Sequence, residues 1–231
     1  MATIAQFRWE RELSKSFQES VRPSLWSRRK GGTWILVRES SCSEGRADLV
    51  WGRFEESRSL GELRRHAGLL QNLTSSRILA VLYREVGLPA EDLFRRIVVS
   101  RPVLQKWLHA LVEAGLIEKD AGDFYSLIES RKMPKVDICS FELKLKNWQR
   151  ALYQATRYRS FSQRVFVVMP PCPAELAYRH KHLFERANVG LVSHDISGQS
   201  RILVRPKTRR PHATYRTIMA IGMLSASKIK A

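Results

Sequence analysis

The hydrophobic period of this chain changes twice along its length, and that limits the folds open to it more than any other feature. Residues 9–26 carry Trp9, Leu13, Phe17 and Val21 at three- and four-residue spacing, which predicts a helix. Gly31-Gly32 breaks the pattern, and the runs 33–38 (TWILVR) and 46–54 (RADLVWGRF), separated by a Ser/Gly/Glu turn, predict two strands. From 75 the period turns helical. Ile78, Leu79, Leu82 and Val86 form one face, and Gly87-Leu88-Pro89 ends that helix. A short helix over 90–97 follows, then one over 101–114 with Ser100 placed to cap it and Pro102 in its first turn. Two short strands around the Asp120 to Asp123 turn complete a helix, helix, helix, hairpin order. From 136 strands and helices alternate: strand 136–144, helix 148–161, strand 164–169, helix 174–187, and short strands at 189–194 and 202–204.

The pattern predicts an α/β protein, a mixed sheet flanked by helices, interrupted by a helical module. Residues 1–60 form the first part of the sheet domain, 75–129 the inserted module, 134–204 the second part, and 205–231 a basic C-terminal tail. The segment 216–224 reads as a short packing helix of unassigned position.

Charge localises the expected partner. The formal net charge of the 231 residues is +18, and such an excess points to a polyanion, most often nucleic acid. Residues 1–74 carry +4, 75–129 carry −1 and 130–231 carry +15. In that last stretch Asp137, Glu142, Glu175, Glu185 and Asp195 are the five acids, so each carboxylate stands out against a basic background. Cys42, Cys139 and Cys172 are too scattered for a zinc spacing, and their odd number argues against a disulfide framework, so they read as reduced thiols. The N-terminal residues lack the apolar core of a signal peptide, and no apolar run reaches membrane-spanning length, so a cytoplasmic protein without a membrane partner is expected.

The local feature with most chemical content is Phe141-Glu142-Leu143-Lys144 at the end of a strand. Residues two apart on a strand share a face, so Glu142 and Lys144 project together from the sheet edge, a carboxylate beside a cation. Upstream, Asp48 lies in Arg46-Ala47-Asp48, and downstream Gln154 and Tyr158 fall on one face of the following helix. Asp137 is five residues from Glu142 and so on the opposite face of that strand.

These residues resemble the PD-(D/E)XK, restriction-endonuclease-like nuclease superfamily. Its Glu-x-Lys lies on the third strand of an αβββαβ core, its aspartate lies on the second, and its RecB-type branch carries Gln-x-x-x-Tyr on the next helix. Ala47 stands where the signature has proline, and 94 positions separate Asp48 from Glu142. The resemblance implies a metal-dependent deoxyribonuclease. Asp48 and Glu142, with a backbone carbonyl of Cys139 or Leu143, would hold Mg²⁺ or Mn²⁺. Lys144 would orient water or neutralise charge, Gln154 and Tyr158 would lie near the substrate, and Glu12 or Glu10 could add a carboxylate.

The inserted module resembles a winged helix-turn-helix, with Arg101, Gln105 and Lys106 as candidate base-reading residues. Acids at its hairpin tip argue equally for contact with a protein partner or a second copy of the chain. Lys146, Arg157, Lys207, Arg209 and Arg210 are candidate phosphate contacts. The alternative is a DNA-binding regulator with a nuclease-like fold as an inert platform. His180 and His182, two apart on a helix, carry no metal-site expectation.

Overall fold

The computed structural model of the chain describes residues 7–20, 31–42, 45–55, 57–128 and 135–227. Val21 and the rest of the expected first helix beyond Ser20 lie outside the described residues. The chain forms two compact units, one of residues 1–53 with 137–212, the other of 54–136 with 213–228.

The first unit is mixed α/β. Its elements are α1 (Glu10–Ser20), β1 (Thr33–Cys42) and β2 (Gly45–Phe54) before the excursion into the second unit. The second unit carries α2 (Ser57–Arg65), α3 (Ala67–Gln71), α4 (Leu73–Leu82), β3 (Leu88–Pro89), α5 (Ala90–Arg96), α6 (Arg101–Glu113), β4 (Ile117–Lys119) and β5 (Phe124–Leu127). The chain then returns through β6 (Val136–Leu143), α7 (Trp148–Arg157), a 3-10 turn (Tyr158–Ser160) and β7 (Arg164–Met169). It continues with α8 (Pro171–Tyr178), α9 (Lys181–Ala187), β8 (Gly190–His194) and β9 (Ser200–Val204), and ends in α10 (Thr214–Ala226).

Six strands make the main sheet in the order β1-β2-β6-β7-β8-β9. β6, β7 and β8 are mutually parallel and β9 is antiparallel to β8, so the sheet is mixed. Alternation along β6 divides its side chains between two layers. Cys139, Phe141 and Leu143 join Leu13 and Phe17 of α1, Leu49 and Trp51 of β2 and Phe166 of β7 in one core. Ser140 and Glu142 point the other way, where the hydroxyl of Ser162 meets Ser140 and that of Tyr158 meets Glu142. β6 is therefore an interior strand covered on both faces, and Glu142 does not project from an exposed edge.

In the second unit β3, β5 and β4 form a small antiparallel sheet in that order. β3 was not expected from the sequence. Val86 is 89% exposed, not part of a buried face, because α4 ends at Leu82. Ser100 occupies the N-cap of α6, yet its side chain makes no capping hydrogen bond.

The expected basic tail over 205–231 is not one piece. Residues 205–212 belong to the first unit, while α10 packs in the second against α2, α3 and α4. Gly222 makes this docking close. A Cβ added there would lie 2.6 Å from Leu70 Cβ and 3.1 Å from the Ala67 carbonyl oxygen. Arg64 Nε also donates to the Ser225 carbonyl at 3.0 Å. Gly222→Ala is expected to cost about 1–3 kcal/mol through overpacking, read as a lowered urea midpoint at unchanged slope.

Among the described residues no helix is long and apolar enough to cross a membrane. Cys139 is a buried free thiol that burial pushes up to about 12, so it stays protonated, and Cys172 is free and exposed.

Candidate active site

The site grows from the carboxyl end of β6. Glu142 is 1% exposed, and a carboxylate so deeply placed needs partners to offset its lost hydration. Lys144 Nζ lies 3.4 Å from Glu142 Oε1, and the Tyr158 hydroxyl lies 2.5 Å from Glu142 Oε2. The backbone keeps Lys144 in place, because its N–H donates to the Val168 carbonyl at 3.1 Å and extends the parallel ladder. From the neighbouring strand, Asp48 Oδ2 accepts the Leu143 N–H at 2.7 Å. The structure thus brings Asp48, Glu142, Lys144 and Tyr158 together from residues 110 positions apart.

Burial pushes the Glu142 carboxyl up to about 7, the Asp48 charge adds to the rise, and Tyr158 and Lys144 oppose it. Tyr158 serves both protonation states. Its single proton faces two acceptors, Glu142 Oε2 and the Arg46 carbonyl oxygen at 2.8 Å. With Glu142 ionised, the phenol donates to the carboxylate. With Glu142 protonated, the acid donates to the phenol oxygen and the phenol donates to the carbonyl. For Lys144 burial favours the neutral amine, but Glu142, Glu10 and Asp48 outweigh it and raise the ammonium above its ordinary value. Tyr158→Phe removes the group that favours ionised Glu142, so the acid limb of any pH–activity profile is expected to shift to higher pH, by roughly one unit for each 1.4 kcal/mol of lost hydrogen bonding.

The first helix contributes differently from what its two acids suggested. Glu12 folds back on its own N-terminus, its Oε2 accepting the N–H groups of Arg8 (2.8 Å) and Trp9 (3.1 Å). Glu10 is the acid that reaches the site, with Oε2 3.1 Å from Lys144 Nζ. Asp137 is engaged elsewhere, pairing at 3.0 Å with the guanidinium of the buried Arg53. Gln154 is half-buried on α7, and its Oε1 is buried with no hydrogen-bond partner among the described residues. No hydrogen bond joins it to Glu142 or Tyr158, so its place at the site rests on the shared helical face alone.

A cleft of about 440 Å³ opens beside these groups. Glu10, Arg11 and Lys15 of α1 line one side, and Arg38 of β1, Asp48 of β2 and Leu143 of β6 the other. Arg11, Lys15 and Arg38 escaped sequence reasoning because they come from elements with no shared motif. Only the one-turn spacing of Arg11 and Lys15 was visible in the chain.

No family model matches this chain, nor does any curated protein or solved structure. Among the described residues there is no group of three or more His, Cys, Asp or Glu side chains arranged to hold a metal ion. Beside Glu10, which is bonded to Lys144, the site's carboxylates are Asp48 and Glu142, whose mutual repulsion helps to raise Glu142. A paired, oxygen-only donor set of net negative charge fits a hard divalent cation that keeps much of its water, as Mg²⁺ does.

The remaining candidates are dispersed. Lys146 is exposed after β6, and Arg157 is half-buried at the end of α7. Lys207, Arg209 and Arg210 lie on a segment pinned across the first unit. Lys207 N–H donates to Asn188 Oδ1 at 2.8 Å, and Arg209 N–H to the Gln163 carbonyl at 3.1 Å. In the second unit Arg101 is committed to Glu91 through two bonds of 2.6 and 3.0 Å and lies over the Phe94 ring. Gln105 and Lys106 are exposed on α6, with Lys106 over the Trp107 ring. His180 stacks on Trp148 with centroids 4.8 Å apart.

Proposed function

We propose that the chain is a metal-dependent nuclease of the PD-(D/E)XK type that hydrolyses phosphodiester bonds in DNA. The observation that carries this reading is the convergence of Asp48, Glu142 and Lys144 at one end of an interior strand, where burying charge is costly and a solvated surface pair would not be found. Asp48 and Glu142 would hold Mg²⁺ or Mn²⁺, which when bound supplies Lewis acidity toward a phosphoryl oxygen and lowers the pKa of water. Lys144 is fixed by its backbone bond to β7 and by Glu10, and it presents a positive charge where negative charge grows on the phosphoryl group. Tyr158 is bonded to Glu142 Oε2 and accepts or supplies a hydrogen bond as that carboxyl changes protonation. Water adds to phosphorus, the bond to the leaving oxygen breaks, and that oxygen takes up a proton.

The second unit supports a winged-helix reading. Three helices, α4, α5 and α6, precede the β4–β5 hairpin, and β3 completes its sheet on the β5 side. Charges on its outer elements are paired, Arg101 with Glu91 and Lys119 with Asp123, and His109 Nε2 lies 3.2 Å from Glu113 Oε1. Such pairing weakens the case for phosphate contact and favours a protein partner or a second copy of the chain. For the regulator reading it leaves Lys106 as the exposed cation of that helix without a carboxylate partner among the described residues.

The metal claim has a readout independent of cleavage. Titration of the whole chain with Mn²⁺, followed by electron paramagnetic resonance, is expected to show a site lost in both Asp48→Asn and Glu142→Gln. Unchanged Mn²⁺ binding in both variants would remove these residues from the metal site.

A further inference from the structure

The cleft beside the carboxylates is lined by more cations than the hydrolytic chemistry uses. Arg11 and Lys15 stand one turn apart on α1, and Arg38 faces them from β1. Gln18 is 7% exposed, and its side-chain oxygen accepts a hydrogen bond from Arg38 Nε. That bond anchors the guanidinium and leaves its two terminal nitrogens available as a fork. Among the described residues no carboxylate pairs with Arg11, Lys15 or Arg38. The nearby acids are occupied: Glu10 by Lys144, Glu12 by the backbone of Arg8 and Trp9, and Asp48 by the Leu143 N–H. Among the described residues these cations gather around a concave space without a carboxylate bonded to them, although Glu10 and Asp48 share the same lining.

We propose that Arg11, Lys15 and Arg38 bind the phosphates flanking the reacting one, and that the ligand they fit is a single nucleic-acid strand laid along α1. Three cations beside the reacting position match a ligand with several regularly spaced negative charges better than an isolated phosphate. At about 440 Å³ the cleft falls within the range of roughly 300–1,000 Å³ that encloses one small ligand. That scale suits the backbone and base of one strand better than a duplex, whose major groove alone is about 12 Å wide. The inference rests on nucleic acid as the ligand of the proposed nuclease site, and it assigns three residues and a strand form to that site.

The test is fluorescence anisotropy of labelled single-stranded and duplex oligonucleotides with the full-length chain in EDTA, across a salt series. Arg11→Ala with Lys15→Ala is expected to weaken single-strand binding at least tenfold. It should also reduce the slope of log affinity against log salt by about 1.4, the value for two lost phosphate contacts on a single strand. Arg179→Ala with Lys181→Ala removes equal charge from exposed positions around the α8–α9 junction and is expected to change the slope little. Arg38→Lys keeps the charge but loses the fork, and it should lie between wild type and Arg38→Ala. The proposal is overturned if the wild type does not bind single strands, if the cleft pair leaves the slope unchanged, if the control pair loses as much, or if duplex binding falls equally. A chain that binds this way but never cleaves with metal refutes hydrolysis and keeps the strand site. A chain that cleaves but ignores the cleft substitutions does the reverse.

Discussion

Glu142→Gln is expected to reduce phosphodiester hydrolysis by about 1,000-fold or more, the scale seen when a preorganised charged group is removed from a water-poor site. The substitution keeps the shape of the side chain and its ability to meet Tyr158 and Lys144, so the fold should survive it. What disappears is the negative charge proposed to hold a cation. Lys144→Ala should produce a loss of about 100- to 1,000-fold with metal binding largely kept, because in the proposed mechanism the ammonium acts on the phosphoryl group and not on the ion. Steady-state rates on a labelled oligonucleotide, set beside Mn²⁺ affinities for the same variants, separate the two roles. A Glu142→Gln protein that is folded and still cleaves at the wild-type rate would dismantle the site as described.

The second large effect concerns stability and pH in the absence of metal. Burial pushes the Glu142 carboxyl from 4.5 up to about 7, so the folded chain holds this proton more tightly than the unfolded chain does. The resulting stabilisation is complete below pH 4.5 and is lost as pH rises through 7, an amount of about 3 kcal/mol for a shift of this size. His194 works in the opposite sense. Burial lowers it from 6.5, so the unfolded chain binds its proton more readily and the fold gains stability as pH rises toward 6.5. The clean observable is therefore the difference between wild type and Glu142→Gln in EDTA. The variant should gain on the wild type by about 3 kcal/mol between pH 4.5 and pH 8, measured by urea unfolding. A constant difference across that range would mean that Glu142 titrates normally. Mg²⁺ should close the gap at pH 8, because a ligand that binds only the folded state stabilises it.

The parts of the fold that were legible in the sequence were those in which local pattern and tertiary packing agree. Strand 164–169 lies buried in a parallel sheet, so its unbroken apolar run is its structural signature, and the structure gives the same bounds. Glu142 and Lys144 do share a face, as the two-residue repeat requires. Elsewhere tertiary contacts decided. The helix expected over 174–187 breaks at Arg179 and His180, where the His180 ring stacks on Trp148 from α7, a partner 32 positions away that no local window contains. α2 and α3 were missed because 57–71 is rich in arginine and contains two glycines. Their packing comes from α10, more than 140 residues later, with Gly222 allowing close approach. The same limit applied to the site. Asp48, Glu142 and Tyr158 were found by motif, but the choice of Glu10 over Glu12 depended on which acid the helix terminus uses for its own N–H groups. The cleft cations depended on α1 and β1 lying side by side.

The measurement closest to the central claim is cleavage of labelled single-stranded and duplex DNA by the full-length chain with Mg²⁺, with Mn²⁺ and with EDTA, alongside Asp48→Asn and Glu142→Gln. The account predicts cutting that requires the divalent ion, is abolished by EDTA and is lost in both variants. Cutting that persists in EDTA or in both folded variants, or no cutting by the wild type with either metal, would contradict it.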